Sequence, residues 1–203
     1  MGLQIAAVPL FHIEQVSWQA PDPASFDGLL IGSANAIRCG GTQLASLLDL
    51  PVYAVGQSTA DVALQAGFTI AKVGSGGLQN LLDDRVLHSL HLLRLSGESR
   101  VPLVAGANQK IEEIIVYRSV PKAAPSELTG LLREGAVVAL HSANAAQHFC
   151  GLIGDFGFER ETIRIAALGP RIADAAGTGW ADIQTAPEPN DTALLEMIEN
   201  MCQ

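Results

Sequence analysis

The chain has 203 residues, 48% hydrophobic and 16% charged, which supplies a sizeable core and excludes wholesale disorder. Twelve Lys and Arg against 21 Asp and Glu leave a formal charge of −9, the wrong sign for a binder of phosphate backbones, so nucleic acid is excluded as a generic partner. No stretch of about 18 apolar residues occurs, so no spanning helix and no membrane partner is expected.

The opening MGLQIAAVPLFHIEQV has no basic leader and enters a strand-like run within a few residues of Met1. Residues 6–16 read as an extended connector, followed by a loop over 18–23. From there apolar β-rich runs alternate with Ala/Leu-rich helical windows. Strands are expected over 27–31, 52–55, 69–73, 92–95, 114–118, 136–141, 163–168 and 182–185. Helices are expected over 34–48, 59–66, 78–83, 126–134, 143–153, 171–176 and 191–201. Strands alternating with helices imply βαβ units and parallel sheets, an α/β fold.

An internal repeat organises the chain. The turn Gly32-Ser33-Ala34-Asn35-Ala36 recurs as His141-Ser142-Ala143-Asn144-Ala145. Further on, VYAVGQSTADVALQAGF from Val52 matches IAALGPRIADAAGTGW from Ile165: a strand ends in Gly56 or Gly169, and a helix containing Ala-Asp follows and closes on Gly67 or Gly179. Two like α/β units are therefore expected. Between them, the β-rich run 112–121 leads into a Pro-containing segment through Pro125, and an extended strand ending at X-Pro suits a connector. With 6–16 it makes two connectors and hence a hinge, which would place a ligand between the domains at the carboxyl ends of the strands.

Those ends carry Ser33, Asn35, Gly56, Gln57, Ser58, Ser142, Asn144, Gly169 and Arg171. Ser33 and Ser142 either cap their helices or, with the free amides there, face an anion. The turn Gly56-Gln57-Ser58 carries the same two readings. Gly74-Ser75-Gly76-Gly77 lacks the P-loop and dinucleotide patterns and reads as a flexible turn. Tyr117 either points into the cleft as a phenolic donor or packs. The five histidines show no HExxH, and no GxSxG is present, so neither a metal site nor a hydrolase elbow is indicated. Cys39, Cys150 and Cys202 are odd in number and lack CxxC spacing, which fits a reducing, cytoplasmic setting.

The order of SANAI, VYAVGQSTADVALQAGF, GSGGL, IIVYRSVP, SANAA, AALGPRIADAAGTGW and PNDTALLEMI resembles the uroporphyrinogen-III synthase family over nearly the whole chain, from Pro9-Leu10-Phe11 onward. The resemblance implies two flavodoxin-like domains joined by a two-stranded connector. It assigns 1–16 to a remnant of domain 1 with a connector strand, 17–113 to an inserted domain 2, 114–121 to the return connector and 122–203 to domain 1. It also implies a cofactor-free, dehydrating closure of hydroxymethylbilane to uroporphyrinogen III, with the last ring inverted through a spiro intermediate. Tyr117 matches the family's tyrosine beside the leaving group; Ser33, Ser58, Ser142 and Asn144 match cleft-facing positions.

Two departures from the family stand out. Arg171-Ile172 follows Gly169-Pro170 where relatives carry a Thr pair, so an arginine would replace two hydroxyls. The family's opening strand, Arg-Pro turn and helix, roughly 20–25 residues, have no match ahead of Gly2. A truncated chain, a misplaced start codon and a shortened protein all fit that reading, as does an impaired family member. A monomer is expected, with the sheet edge left by the unmatched strand as a route to a dimer. The rival reading is a two-domain hinge module that binds a small anion without catalysis.

Overall fold

Short apolar runs bounded by glycine or proline form the interior strands. Gly28–Ile31 (β2) is buried at every position, the pattern of a parallel strand covered on both faces. The computed structural model describes residues 2–123 and 126–202. The chain forms two units, residues 13–120 (the insert) and residues 1–12 with 121–203 (the frame), each α/β with parallel strands.

In the insert, Phe11–Gln15 (β1), β2, Val52–Val55 (β3), Ile70–Gly74 (β4), His91–Gly97 (β5) and Lys110–Pro121 (β6) form one sheet in the order β1-β6-β5-β2-β3-β4. β6, β5, β2, β3 and β4 run parallel. β1 runs against β6: the Val16 amide donates to Val116 O at 2.9 Å and the Lys122 amide to Leu10 O at 2.9 Å, one number rising as the other falls. The period of two along the strands divides the core. Leu29, Ile31, Leu93 and Leu95 pack under Ala34–Arg38 (α1) and Gln57–Gln65 (α2). Leu30, Tyr53 and Leu92 pack under Leu78–Leu82 (α3) on the opposite face.

In the frame, Val137–Leu140 (β7), Arg164–Ala167 (β8) and Asp182–Thr185 (β9) form a parallel sheet in chain order. Ser126–Arg133 (α4), Ala143–Asp155 (α5) and Pro170–Ala176 (α6) share a core with Leu140, Ile163 and Ile165. Asp191–Met201 (α7) covers Val137 and Ala166 from the other side. β7 is an edge strand, flanked by an apolar groove of about 400 Å³ to which residues 2–6, Leu128, Leu132, Val138 and Ile198 contribute.

The structure corrects several boundaries. The helix expected over 34–48 breaks in two. α1 ends at Arg38, the chain turns at Gly40-Gly41 with Gly41 at φ +63, and a 3-10 segment Gly41–Leu47 carries on. Adjacent glycines are poor helix formers, and the Trp18 indole N–H donates to Gly40 O at 2.9 Å, taking a carbonyl that a continuing helix would have used. The strand-like run near Met1 is not a strand: residues 2–10 lack regular structure and pairing starts at Phe11, just past Pro9, which has no amide to give a ladder. The return connector strand is longer than expected, β6 covering Lys110–Pro121 rather than 114–118. Met1, Ala124, Pro125 and Gln203, with the end of the expected Pro-containing connector, lie outside the described residues.

Residues 98–109 link the parallel strands β5 and β6 without a helix. Side chains hold this strap instead. Gln79 and Val104 exchange two hydrogen bonds at 2.9 and 3.1 Å, and the Gln109 amide donates to Leu82 O and Leu87 O at 2.7 and 3.0 Å. Beneath the strap lies Arg94, 3% exposed, which donates to Val101 O at 3.0 Å and pairs with Glu113 on β6; Arg100 pairs with the other oxygen of Glu113 at 2.8 Å. Burial pushes the Glu113 carboxyl up, but hydrogen bonds from Arg100 and Arg94 and their charges outweigh it and hold it below the usual glutamate range. Replacing Glu113 with Gln leaves a buried guanidinium without its counter-charge and should cost about 2 kcal/mol of stability at neutral pH, below the roughly 3–5 kcal/mol of a fully buried broken pair because the carboxylate is 28% exposed. A group with a depressed folded pKa stabilises above its unfolded value and loses that contribution as pH falls through the folded one. The gap between wild type and Glu113→Gln in chemical denaturation should therefore hold above about pH 5 and shrink below about pH 4; a gap independent of pH would refute the assignment.

Candidate functional site

The ladder register of the insert aligns the strand ends. Leu95 pairs with Ile31 and with Ile114, Ile31 with Ala54, and Gly97 with Tyr117. Two residues past Ile31 is Ser33 and two past Ala54 is Gly56, so Tyr117, Gly97, Ser33 and Gly56 fall in one row across four adjacent strands. At the usual strand spacing the row spans about 14 Å. The sequence-derived residues of this unit, Ser33, Asn35, Gly56, Gln57, Ser58 and Tyr117, are thus brought to one carboxyl edge. In the frame, β7, β8 and β9 end level, with Leu140, Ala167 and Thr185 in register. Ser142 and Asn144 follow β7, and Gly169 and Arg171 follow β8, at the carboxyl edge of that sheet.

The repeated turns fall into two kinds by how they cap their helices. Ser33 and Ser142 adopt nearly the same backbone, φ −152, ψ 137 and φ −151, ψ 151, and both cap. The Ser33 hydroxyl accepts from the Asn35 amide at 3.3 Å and the Ser142 hydroxyl from the Ala145 amide at 3.1 Å. Their oxygens already serve their own helices. The second pair differs: neither Gly56 before α2 nor Gly169 before α6 supplies a side-chain cap, so the first amides of α2 stay open at the sheet edge, whereas α6 starts on Pro170, its Ile172 and Ala173 amides donate to Gly169 O at 3.0 and 3.3 Å, and of its first turn only the Arg171 amide stays open. The two glycines differ in backbone as well. Gly56 sits at φ +77, where L side chains are strained, whereas Gly169 is extended at φ −167 and the helix begins on Pro170. The Gln57 side chain turns back along α2 and donates to Asp61 at 2.8 Å; Ser58 is exposed beside it.

Charge and donors differ between the two edges. Arg171 is exposed and has no ion-pair partner among the described residues, so its guanidinium is available at the start of α6. Asn144 is on the first turn of α5. Tyr117 is half-buried, its ring packed on the α1/α2 core, and its hydroxyl has no hydrogen-bond partner among the described residues. Its carbonyl accepts from the Glu98 amide at 3.0 Å. The apolar groove beside β7 contains none of the candidate binding or catalytic residues read from the sequence. Gly97, in the same row as Tyr117, escaped sequence reading. The only signal for it is the Ser-Gly that ends a nearly fully buried strand, and neither periodicity nor turn chemistry marks such a glycine.

Among the described residues, the insert's edge thus offers open helix-start amides that can hold a carboxylate and a phenol without a hydrogen-bond partner that can donate a proton, and the frame's edge offers an arginine without an ion-pair partner. No helix among the described residues is long and apolar enough to cross a membrane. No curated protein matches the chain in sequence. In fold it is similar to the uroporphyrinogen-III synthetase of Helicobacter pylori 26695, with 17% identity, 95% of this chain and 91% of that one covered, and a TM-score of 0.67. It is also similar to a mutant uroporphyrinogen III synthase of the extremely thermophilic bacterium Thermus thermophilus, at 18% identity, 96% and 88% coverage and a TM-score of 0.52. The model of the family described as uroporphyrinogen-III synthase HemD matches residues 1–196, nearly the whole chain, and on that match the chain belongs to the uroporphyrinogen-III synthase family.

Proposed function

We propose that the chain closes hydroxymethylbilane to uroporphyrinogen III, with inversion of ring D, using Tyr117 as the donor at the leaving group. Membership of a family of cyclising lyases in tetrapyrrole biosynthesis supports the reaction. The observation that carries the residue assignment is the unpartnered Tyr117 hydroxyl in one row with the open amides after Gly56. Loss of the hydroxymethyl oxygen breaks a C–O bond whose electron pair leaves with oxygen. A proton from the phenol turns the leaving hydroxide into water. The pyrrole nitrogen supplies the compensating electrons, giving an azafulvene cation. Carbon–carbon bond formation at the substituted position of ring D gives the spiro intermediate, and rearrangement with loss of a ring proton restores aromaticity. Most of the electronic work is the substrate's own, so the protein acts by holding the chain where the inverted closure is nearer than the direct one.

Binding follows from local donors. A net charge of −9 repels a polyanion at long range, so steering by overall charge cannot attract the substrate. Its carboxylates are received by the amides after Gly56, by Ser58 and Asn144, and by the amide and guanidinium of Arg171 beyond Gly169-Pro170. Ser33, Ser142, Asn35 and Gln57 hold the turns that present these donors. The same reading takes the units as two flavodoxin-like domains joined through β1 and β6, and the protein as a cytoplasmic monomer, a setting supported by its three separate free cysteines.

The deciding assay supplies hydroxymethylbilane and resolves the product isomers. The type III isomer is expected in excess over the type I isomer that forms spontaneously; type I alone would overturn the function. Tyr117→Phe should lower kcat by about 10²-fold with little change in KM, and a variant as fast as wild type would remove the tyrosine from the chemistry. Arg171→Ala should weaken substrate binding about three- to tenfold, the lower range for a charge-assisted hydrogen bond at an exposed site. Unchanged affinity would discard that contact.

A further inference from the structure

We propose that Gly97 is the positioning residue for Tyr117, and that its missing side chain sets where the phenol hydroxyl lies. The inference rests on the reading of Tyr117 as the proton donor. Gly97 is not among the glycines with positive φ, so its backbone is one that any residue adopts and conformation alone does not require glycine there. Space does. A Cβ at Gly97 would lie 2.6 Å from Cε2, 2.7 Å from Cζ and 3.0 Å from the hydroxyl oxygen of Tyr117. Ordinary contact begins near 3.4 Å, so a single methyl group would push the ring edge back by about 0.8 Å.

The ladder explains how the ring comes to lie there. Ser96 pairs with Ile115, but Gly97 pairs with Tyr117, and the register shifts between the two because Val116 is an extra residue in β6. In a regular strand adjacent side chains point to opposite faces. Here Val116 and Tyr117 both pack on the α1/α2 core, as a bulge allows. The bulge turns the Tyr117 side chain onto the face it would otherwise miss, and the bare Cα of Gly97 gives its ring a floor. The Glu98 amide fixes the carbonyl of the same tyrosine at 3.0 Å, so the backbone cannot follow if the ring is displaced. A shift of about 1 Å in a reacting group costs up to about 10²-fold in rate.

The test compares Gly97→Ala, Tyr117→Phe and the double variant in the isomer-resolved assay. Gly97→Ala should lower kcat about ten- to hundredfold with KM within about twofold, and adding it to Tyr117→Phe should lower kcat no further. The chain has only two tyrosines, so tyrosine labelled with ¹³C at Cζ alone gives two NMR resonances, and Tyr117→Phe assigns them. The Tyr117 resonance should move in Gly97→Ala while that of Tyr53 stays. A fully active Tyr117→Phe sinks the tyrosine reading and this inference with it. A slow Tyr117→Phe beside a fast Gly97→Ala with an unmoved resonance overturns the inference alone, as does an additive loss in the double variant. Should Gly97→Ala fail to fold, combining it with Tyr117→Leu removes the clash and should restore folding; a chain that stays unfolded then refutes the contact.

Discussion

The register of the parallel ladder in the insert is the constraint on which its candidate site depends. Every strand from β6 to β4 points the same way, so every following turn and helix start emerges at one edge. Fixing Leu95 opposite Ile31, and Ile31 opposite Ala54, fixes the heights of Gly97, Ser33 and Gly56 together. A slip of one residue in any pair would move a donor out of the row and turn each side chain of that strand to the other face. Register here is held by burial: Leu29, Leu30, Ile31, Leu92 and Leu93 are wholly inaccessible, and a slip would exchange the packing of two cores at once. Chemistry at the edge thus depends on apolar contacts below it.

Much of this was legible because it follows from pattern. Alternating apolar runs and helical windows gave the α/β class, and the last strand and the last helix, at 182–185 and 191–201, match to the residue. The repeated turns located both carboxyl edges. What escaped were features that a linear pattern does not encode. The bulge at Val116 breaks the period of two, so alternation along β6 does not reveal the face that Tyr117 takes. The break after Arg38 depends on Trp18, distant in sequence, to take the Gly40 carbonyl. The strap over 98–109 is held by Gln79, Gln109 and Arg94, residues whose partners are backbone carbonyls and amides that carry no sequence signature. Whether a helix-start serine caps its own helix likewise depends on where one hydroxyl points, which the linear pattern does not encode.

The division of labour between the two repeated turns has an electrostatic sense. A serine that accepts from its own helix satisfies an amide and reduces the positive end of the dipole available to an anion. Gly56 leaves both in place. The serine turns therefore lend rigidity, and the Gly56 turn leaves partial positive charge exposed, on a protein whose overall acidity repels an anion at long range. Buried charge follows a similar economy: Arg94, unlike Arg171, is committed to Glu113 and the strap, and so is withdrawn from ligand binding.

The discontinuity of the frame has a consequence for the order of folding. Its two pieces, 1–12 and 121–203, are separated in sequence by the entire insert, whereas the insert is a single uninterrupted stretch. Closing the frame around an unstructured insert would mean closing a loop of that whole length. Once β1 and β6 have paired, Val16 lies hydrogen-bonded to Val116, and the two pieces of the frame leave the insert side by side. The entropy saved is on the order of 2–3 kcal/mol by the logarithmic dependence of closure on loop length. Formation of the insert first makes the frame's own nucleation effectively local, and the antiparallel pair through which the chain enters and leaves the insert is then the step that converts a long-range search into a short-range one.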